Sequence, residues 1–196
     1  MALKDIFDGT IILLDAEFTC WDGSLASGWS DPAFPAEMIE IGMIAYDANR
    51  QTEKASYSSL VKPRKNPILS DYCLNILPIL QSEIDTAPEY ATVMSEISDW
   101  LNQHATQDSP TAAWGKIDRS HTVKQAGAHG VADPFGERPH IQVDELVKSA
   151  LGINNQIERE DVRKTLNIQP IIGRHRALAD SADLIAFDLA LAGIHK

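Results

Sequence analysis

Thr10-Ile11-Ile12-Leu13-Leu14-Asp15-Ala16-Glu17-Phe18-Thr19-Cys20 is an apolar, β-branched run that breaks abruptly into two carboxylates. A short unbroken apolar run of this kind reads as a buried strand, covered on both faces and therefore free of polar alternation. Asp15 and Glu17 emerge at its carboxyl end. Successive strand side chains point to opposite faces, so acids two apart share a face and can converge on one hard cation. Taken alone, an Asp-x-Glu pair reads as an ordinary solvated strand end, and the rest of the chain must supply further ligands.

Working outward, residues Phe18 to Ala36 carry Gly23, Gly28, Pro32 and Pro35 and read as a long loop. Trp21, Trp29 and Phe34 lie in it, either available to stack on a nucleobase or used to pin the loop to itself. Glu37 to Tyr46 and Ala55 to Val61 form two further strands, joined through Asp47, Ala48 and Asn49 into a hairpin. Lys62-Pro63-Arg64-Lys65 is a small basic cluster, either a solvated turn or a phosphate contact.

Ser70 is placed to cap a helix from Asp71 to near Pro78, and Ala87-Pro88-Glu89 opens a second. In that second helix Val93, Ile97, Trp100 and Leu101 recur at helical spacing, which assigns Trp100 to the core. A short strand over Pro110 to Gly115 leads into a helix from Lys116 towards His129, leaving Asp118 at the strand-to-helix junction. Ile141 to Leu151 reads as an extended piece followed by an amphipathic helix stopped by Gly152. Glu158 to Leu166 is charged on one face, with Asn167 as its cap. A turn over Pro170 to Gly173 precedes a last helix, Leu178 to Ala192, with Gly193 past its end. Strands and helices in this order predict a mixed α/β sheet covered by helices.

At 196 residues and 44% hydrophobic, the chain has material for one full core, and residues 1–196 are expected to form a single domain. With 17 Lys+Arg against 28 Asp+Glu the formal net charge is −11, which argues against non-specific binding along phosphate backbones while leaving room for a local nucleic-acid site. Cys20 and Cys73 match neither a disulfide framework nor a paired zinc motif, and both are expected to be reduced and at least partly buried. The first eight residues contain acids and no long apolar core, and no apolar segment approaches the ~20 residues of a membrane span. The expectation is a soluble cytoplasmic protein without membrane contact.

The C-terminal third adds His175-Arg176-Ala177-Leu178-Ala179-Asp180, a histidine just before a helix and a carboxylate five residues later inside it. Separately, these read as a loop histidine and a helix-surface acid favoured by the dipole. Together, Asp15-x-Glu17, Asp118 and His175-x4-Asp180 form an ordered set of four carboxylates and one imidazole.

This set resembles the DEDD exonucleases of the histidine subtype, the family of the DNA polymerase III proofreading subunit and ribonuclease T. Asp15-Ala16-Glu17-Phe18-Thr19-Cys20, Leu69 to Cys73, and the Gln81, Ile84, Asp85 and Ala87 pattern look most like the histone-mRNA and small-RNA 3′ exonuclease branch. The resemblance implies a ribonuclease-H-like fold, a five-stranded mixed sheet flanked by helices. It also implies two divalent cations, Mg²⁺ or Mn²⁺, and stepwise 3′→5′ release of nucleoside 5′-monophosphates from a single-stranded RNA or DNA 3′ end, RNA somewhat favoured. Asp15, Glu17, Asp118 and Asp180 would be the metal ligands, His175 would accept the water proton, and Phe18 and Thr19 would meet the 3′ end, with Trp21 beside them. Carboxylates suit these hard cations, and histidine side chains, with an ordinary pKa of about 6.5, are effective bases near neutral pH.

Where family members often have Asp before the last catalytic Asp and Asn three residues after it, this chain has Ala179 and Asp183. Asn75 to Ile79 replaces a common Thr-Gly-Ile turn, and Trp21 a more usual polar residue. Two other classes compete: a nucleic-acid-binding or polymerase-associated module with little activity, and a metal enzyme for small phosphate esters.

Overall fold

The computed structural model describes residues 1–169, 173 and 175–194. After a 3-10 turn at Leu3–Asp5, the strands are β1 (Thr10–Phe18), β2 (Met38–Asp47), β3 (Thr52–Leu60), β4 (Thr111–Ala113) and β5 (His140–Gln142). The helices are α1 (Ser24–Ser27), α2 (Asp71–Ile76), α3 (Gln81–Asp85), α4 (Tyr90–His104), α5 (Ile117–His129), α6 (Val143–Leu151), α7 (Arg159–Thr165) and α8 (Ala177–Ile194). The sheet order is β3-β2-β1-β4-β5; β2 pairs antiparallel with both β1 and β3, and β4 and β5 continue parallel to β1. This is the mixed five-stranded sheet flanked by helices that the sequence predicts.

β1 lies at the centre because its apolar run has two faces to bury. Ile12, Leu14, Ala16 and Phe18 pack on one side with Val93, Ile97, Trp100 and Leu101 of α4 and Ala126 of α5. Ile11 and Leu13 pack on the other with Val143 and Val147 of α6 and Leu184, Phe187 and Leu191 of α8. By the same alternation Asp15 and Glu17 continue the face that meets α8. Ser70 caps α2 as read, accepting from the Cys73 backbone N–H at 3.0 Å.

One glycine decides how close α8 can come. Gly42 of β2 pairs with Asp15 of β1. A Cβ built on it would lie 2.2–2.4 Å from backbone atoms of Ala177 and Leu178, at the start of α8. Only a residue without a side chain lets that helix end rest on the sheet. Ser181 then donates to the Gly42 carbonyl at 2.9 Å, and Glu40 accepts from the Ala177 backbone N–H at 3.1 Å and the Arg176 Nε at 2.9 Å.

Two readings need correction. α8 runs to Ile194 and includes Gly193, because Phe187 and Leu191, fully buried against the sheet, stabilise its last turns by more than the ~1 kcal/mol that glycine costs in a helix. α3 has no counterpart in the sequence reading; five residues are too short for a helical period. The turn expected at 170–173 lies outside the described residues except for Gly173, which has φ +86°.

Candidate active site

Three elements deliver one acid or acid pair each to the carboxyl end of β1. Asp15 and Glu17 stand on β1 itself, Asp118 in the first turn of α5, and Asp180 in the first turn of α8. The Asp118 Oδ1 accepts from the Ala16 backbone N–H at 3.3 Å, which ties α5 to the strand between the two acids. Asp180 accepts from the His175 backbone N–H at 3.0 Å, so the residue it would work with is held in register by the same carboxylate. This bond helps hold His175 at φ +61°, a left-handed conformation uncommon outside glycine. Ligand atoms of Glu17, His175 and Asp180 all lie within 4.8 Å of one another.

Asp15, Glu17, Asp118, His175 and Asp180 line a cavity of about 690 Å³. Phe18, Trp29, Tyr72, Ile76, Trp114 and Ile157 contribute to its wall. Burial, reinforced by the Asp118 and Asp180 charges against the opposing Arg159, holds the Asp15 carboxyl well above the ordinary carboxylate range. Burial together with Asp15 and Asp180 pushes Glu17 up to about 9, and burial raises Asp118 to about 6. Without added positive charge these acids resist being ionised together.

That deficit is the test of fit for a metal. Four oxygen-donor acids, desolvated and pressing on one another, beside an imidazole, form a donor set suited to hard divalent cations. Asp15, Glu17, Asp118 and Asp180 are the residues that would hold them.

Sequence reading missed the basic residue at this centre. Arg159, at the start of α7, reaches Asp15 Oδ1 at 3.1 Å and Asp180 Oδ1 at 3.6 Å, with its guanidinium carbon 5.4 Å from the centre of the Trp114 ring. Burial works against its charge, but Asp15, Asp180 and Asp118 outweigh this and hold its pKa above the ordinary value. One turn on, Arg163 pairs with Asp183 and donates to the Gln169 carbonyl at 2.8 Å. Positions 159, 162, 163 and 166 trace one helical stripe, in which Val162 and Leu166 pack into the core. Two arginines inside an apolar stripe are the signal that could have revealed buried acidic partners.

The other expected contacts divide. Phe18 lines the cavity. Thr19 does not: its hydroxyl donates to the Pro35 carbonyl at 3.0 Å, its N–H bonds Glu37 and its carbonyl accepts from the Trp29 indole. Its polar groups therefore fasten the loop. Trp21 also lies off the cavity wall, its ring 4.8 Å from that of Phe34 in a tilted contact. The basic cluster is structural: backbone N–H groups of Arg64, Lys65 and Asn66 all close on the Glu37 carboxylate at 2.9–3.0 Å. Cys20 and Cys73 are free thiols, as expected, yet they are neighbours despite their separation in sequence; a hydrogen bond between them raises the Cys20 pKa and lowers that of Cys73 to about 7.

With this geometry in place, the comparison with known proteins is specific. A family model described as Exonuclease matches residues 12–186. The chain belongs to that family. Among curated relatives, the 3′-5′ exonuclease eri1 of Schizosaccharomyces pombe is 33% identical over 95 residues, 48% of this chain and 30% of that protein. ERI1 exoribonuclease 2 of Danio rerio is 32% identical over 91 residues, 46% of this chain and 15% of that protein. The matches thus span less than a third of either relative. Among solved structures, one describing 3′-end specific recognition of histone mRNA stem-loop by 3′-exonuclease superposes with a TM-score of 0.79 at 20% identity, covering 95% of this chain and 65% of that one. The nuclease domain of 3′hExo, a DEDDh family member bound to rAMP, superposes at 0.73 with 22% identity, covering 94% and 91%. These likenesses show the ribonuclease-H-like fold.

Proposed function

We propose that this exonuclease-family chain removes nucleotides in the 3′→5′ direction from single-stranded 3′ ends, releasing nucleoside 5′-monophosphates, with RNA preferred over DNA. The observation that carries the proposal is the meeting of Asp15, Glu17, Asp118, Asp180 and His175 in one cavity. The curated relatives named as 3′-5′ exonuclease and exoribonuclease favour the direction and the polymer.

In this reading Asp15, Glu17, Asp118 and Asp180 hold two divalent cations, Mg²⁺ or Mn²⁺. Bound there, these would supply positive charge to offset the phosphate and acidify water. Each protein group then has its own task. The four carboxylates fix where positive charge can gather. His175, set beside Glu17 and Asp180, accepts the proton of the attacking water. Phe18 packs against the terminal nucleoside in a cavity whose wall includes Trp29, Tyr72 and Ile76, where a flat base exchanges water for carbon. With a net charge of −11, affinity rests on this terminal pocket and short overhangs are the favoured substrates.

Matched 5′-labelled RNA and DNA single strands, incubated with Mn²⁺, test the reading. The expected product is a ladder shortening from the 3′ end, faster for RNA, and abolished by a 3′-terminal phosphate. Binding without cleavage in either Mg²⁺ or Mn²⁺ would favour a binding module instead, and turnover of small phosphate esters without polymer preference a different hydrolase.

A further inference from the structure

We propose that Arg159 is a built-in counter-ion of the carboxylate cluster that competes with the divalent cations for Asp15 and Asp180. The inference rests on the metal-site reading above and concerns what the protein does before metal arrives.

The guanidinium donates a hydrogen bond to Asp15 Oδ1 at 3.1 Å and faces Asp180 Oδ1 at 3.6 Å. The other Asp180 oxygen is occupied by the His175 N–H. A divalent cation on a carboxylate sits at about 2.1 Å from oxygen for Mg²⁺. Such an ion on Asp15 Oδ1 and the guanidinium on the same atom would put two positive charges side by side in a poorly solvated cavity, where repulsion is strong. The two occupants therefore exclude each other on that oxygen.

The surroundings make Arg159 a resident rather than a passing visitor. Its guanidinium lies over the Trp114 ring and its positive charge meets Asp15, Asp118 and Asp180, three of the four acids. In the metal-free protein this single charge stands between Asp15 and Asp180 and offsets part of their mutual repulsion. Its helix cannot easily swing away, because Arg163 on the next turn is bound to Asp183 and to the Gln169 carbonyl. Release of the site is then a side-chain rotation, with α7 staying in place. Mg²⁺ gives up its waters reluctantly, so Mn²⁺ should displace the guanidinium more readily.

Calorimetric titration with Mn²⁺ alone separates this role from a structural one. Arg159→Gln should bind Mn²⁺ at least ten-fold more tightly than wild type, while its metal-free form melts at a lower temperature and regains the difference at saturating Mn²⁺. A residue that merely props up the site would lower both stability and affinity, so unchanged or weaker Mn²⁺ binding by Arg159→Gln overturns the proposal. A measurement on the unaltered protein guards against a variant that folds badly. During a Mg²⁺ titration the Arg159 guanidinium NMR signal should move from its ion-paired to its free position, and a signal that stays in place overturns the proposal as well. The nuclease reading fails by a different result: no nucleotide release by wild type at saturating Mn²⁺.

Discussion

Arg159 and Arg163 sit one turn apart on α7 and face acids, Asp180 and Asp183, less than one turn apart on α8. The inner pair is sealed: the side chains of Arg163 and Asp183 are 3% and 0% exposed, and the arginine also reaches Glu160 of its own helix at 3.7 Å. The outer pair opens on the cavity, where a single arginine faces Asp15, Asp118 and Asp180 beside Glu17. The same two helices thus carry a sealed ion pair that fixes their packing and an open one in which three acids face a single arginine. Access to the cavity separates the structural pair from the candidate catalytic one.

The sharpest way to break the comparison is at the sealed pair. Arg163→Leu strands the Asp183 carboxylate in the core, and losing one member of a buried pair typically costs about 3–5 kcal/mol. Urea denaturation should show that loss, while nucleotide release per folded molecule stays near wild type; a variant fully stable but inactive would put Arg163 in the chemistry.

Next in size is Gly42→Ala, whose added carbon would meet the backbone of Ala177 and Leu178 within 2.4 Å. No flexible side chain can give way there, so the start of α8 must lift and carry Asp180 with it. A misplacement of about 1 Å can cost on the order of 100-fold in rate. Nucleotide release measured on folded variant should fall by about that factor, and an unchanged rate would show that α8 need not touch β2 there.

The smallest effect concerns protons. A raised carboxylate pKa means the folded, metal-free protein binds a proton more tightly than the unfolded chain does. For Glu17 this contribution to stability is full below the ordinary value of 4.5 and is lost as pH rises to about 9. Cation binding requires the ionised form, so it expels that proton, and apparent affinity should climb between pH 6 and 9. Calorimetry at pH 7 in two buffers of different ionisation enthalpy should show at least about one proton released per protein. Zero would mean that Glu17 is already ionised in the metal-free state.

Much of this was legible in the chain because its signals are local. The run from Thr10 to Phe18 gives strand, burial and acid pair together, and Ser70 announces its cap directly. Asp118 and the His175–Asp180 spacing were legible only as members of a set, since each alone is an ordinary residue at a helix start. What escaped depends on which surfaces meet. Arg159 and Arg163 looked like part of a charged helix face, and their role follows from where α7 docks on α8. Gly42 interrupts an apolar strand in a way that signals close backbone approach, but the approaching helix begins 135 residues later. Thr19 and Trp21 stood beside the right residue, yet strand alternation ends at Phe18 and the chain beyond it bonds to its own loop. Cys20 and Cys73 met for the same reason that α3 went unseen: short loop and helix segments pack by tertiary contact, without a period to read.

The central claim is that excess carboxylate charge at the cavity does the chemistry while the sealed pair beside it holds the fold. Its most direct test sets Asp180→Asn against Asp183→Asn, comparing 5′-mononucleotide release from a short RNA in Mn²⁺ at equal concentrations of folded protein. Asp180→Asn should lose activity on the order of 100-fold or more while keeping its fold, and Asp183→Asn should lose stability while its folded fraction keeps its rate. Equal rates for wild type and Asp180→Asn would contradict the account.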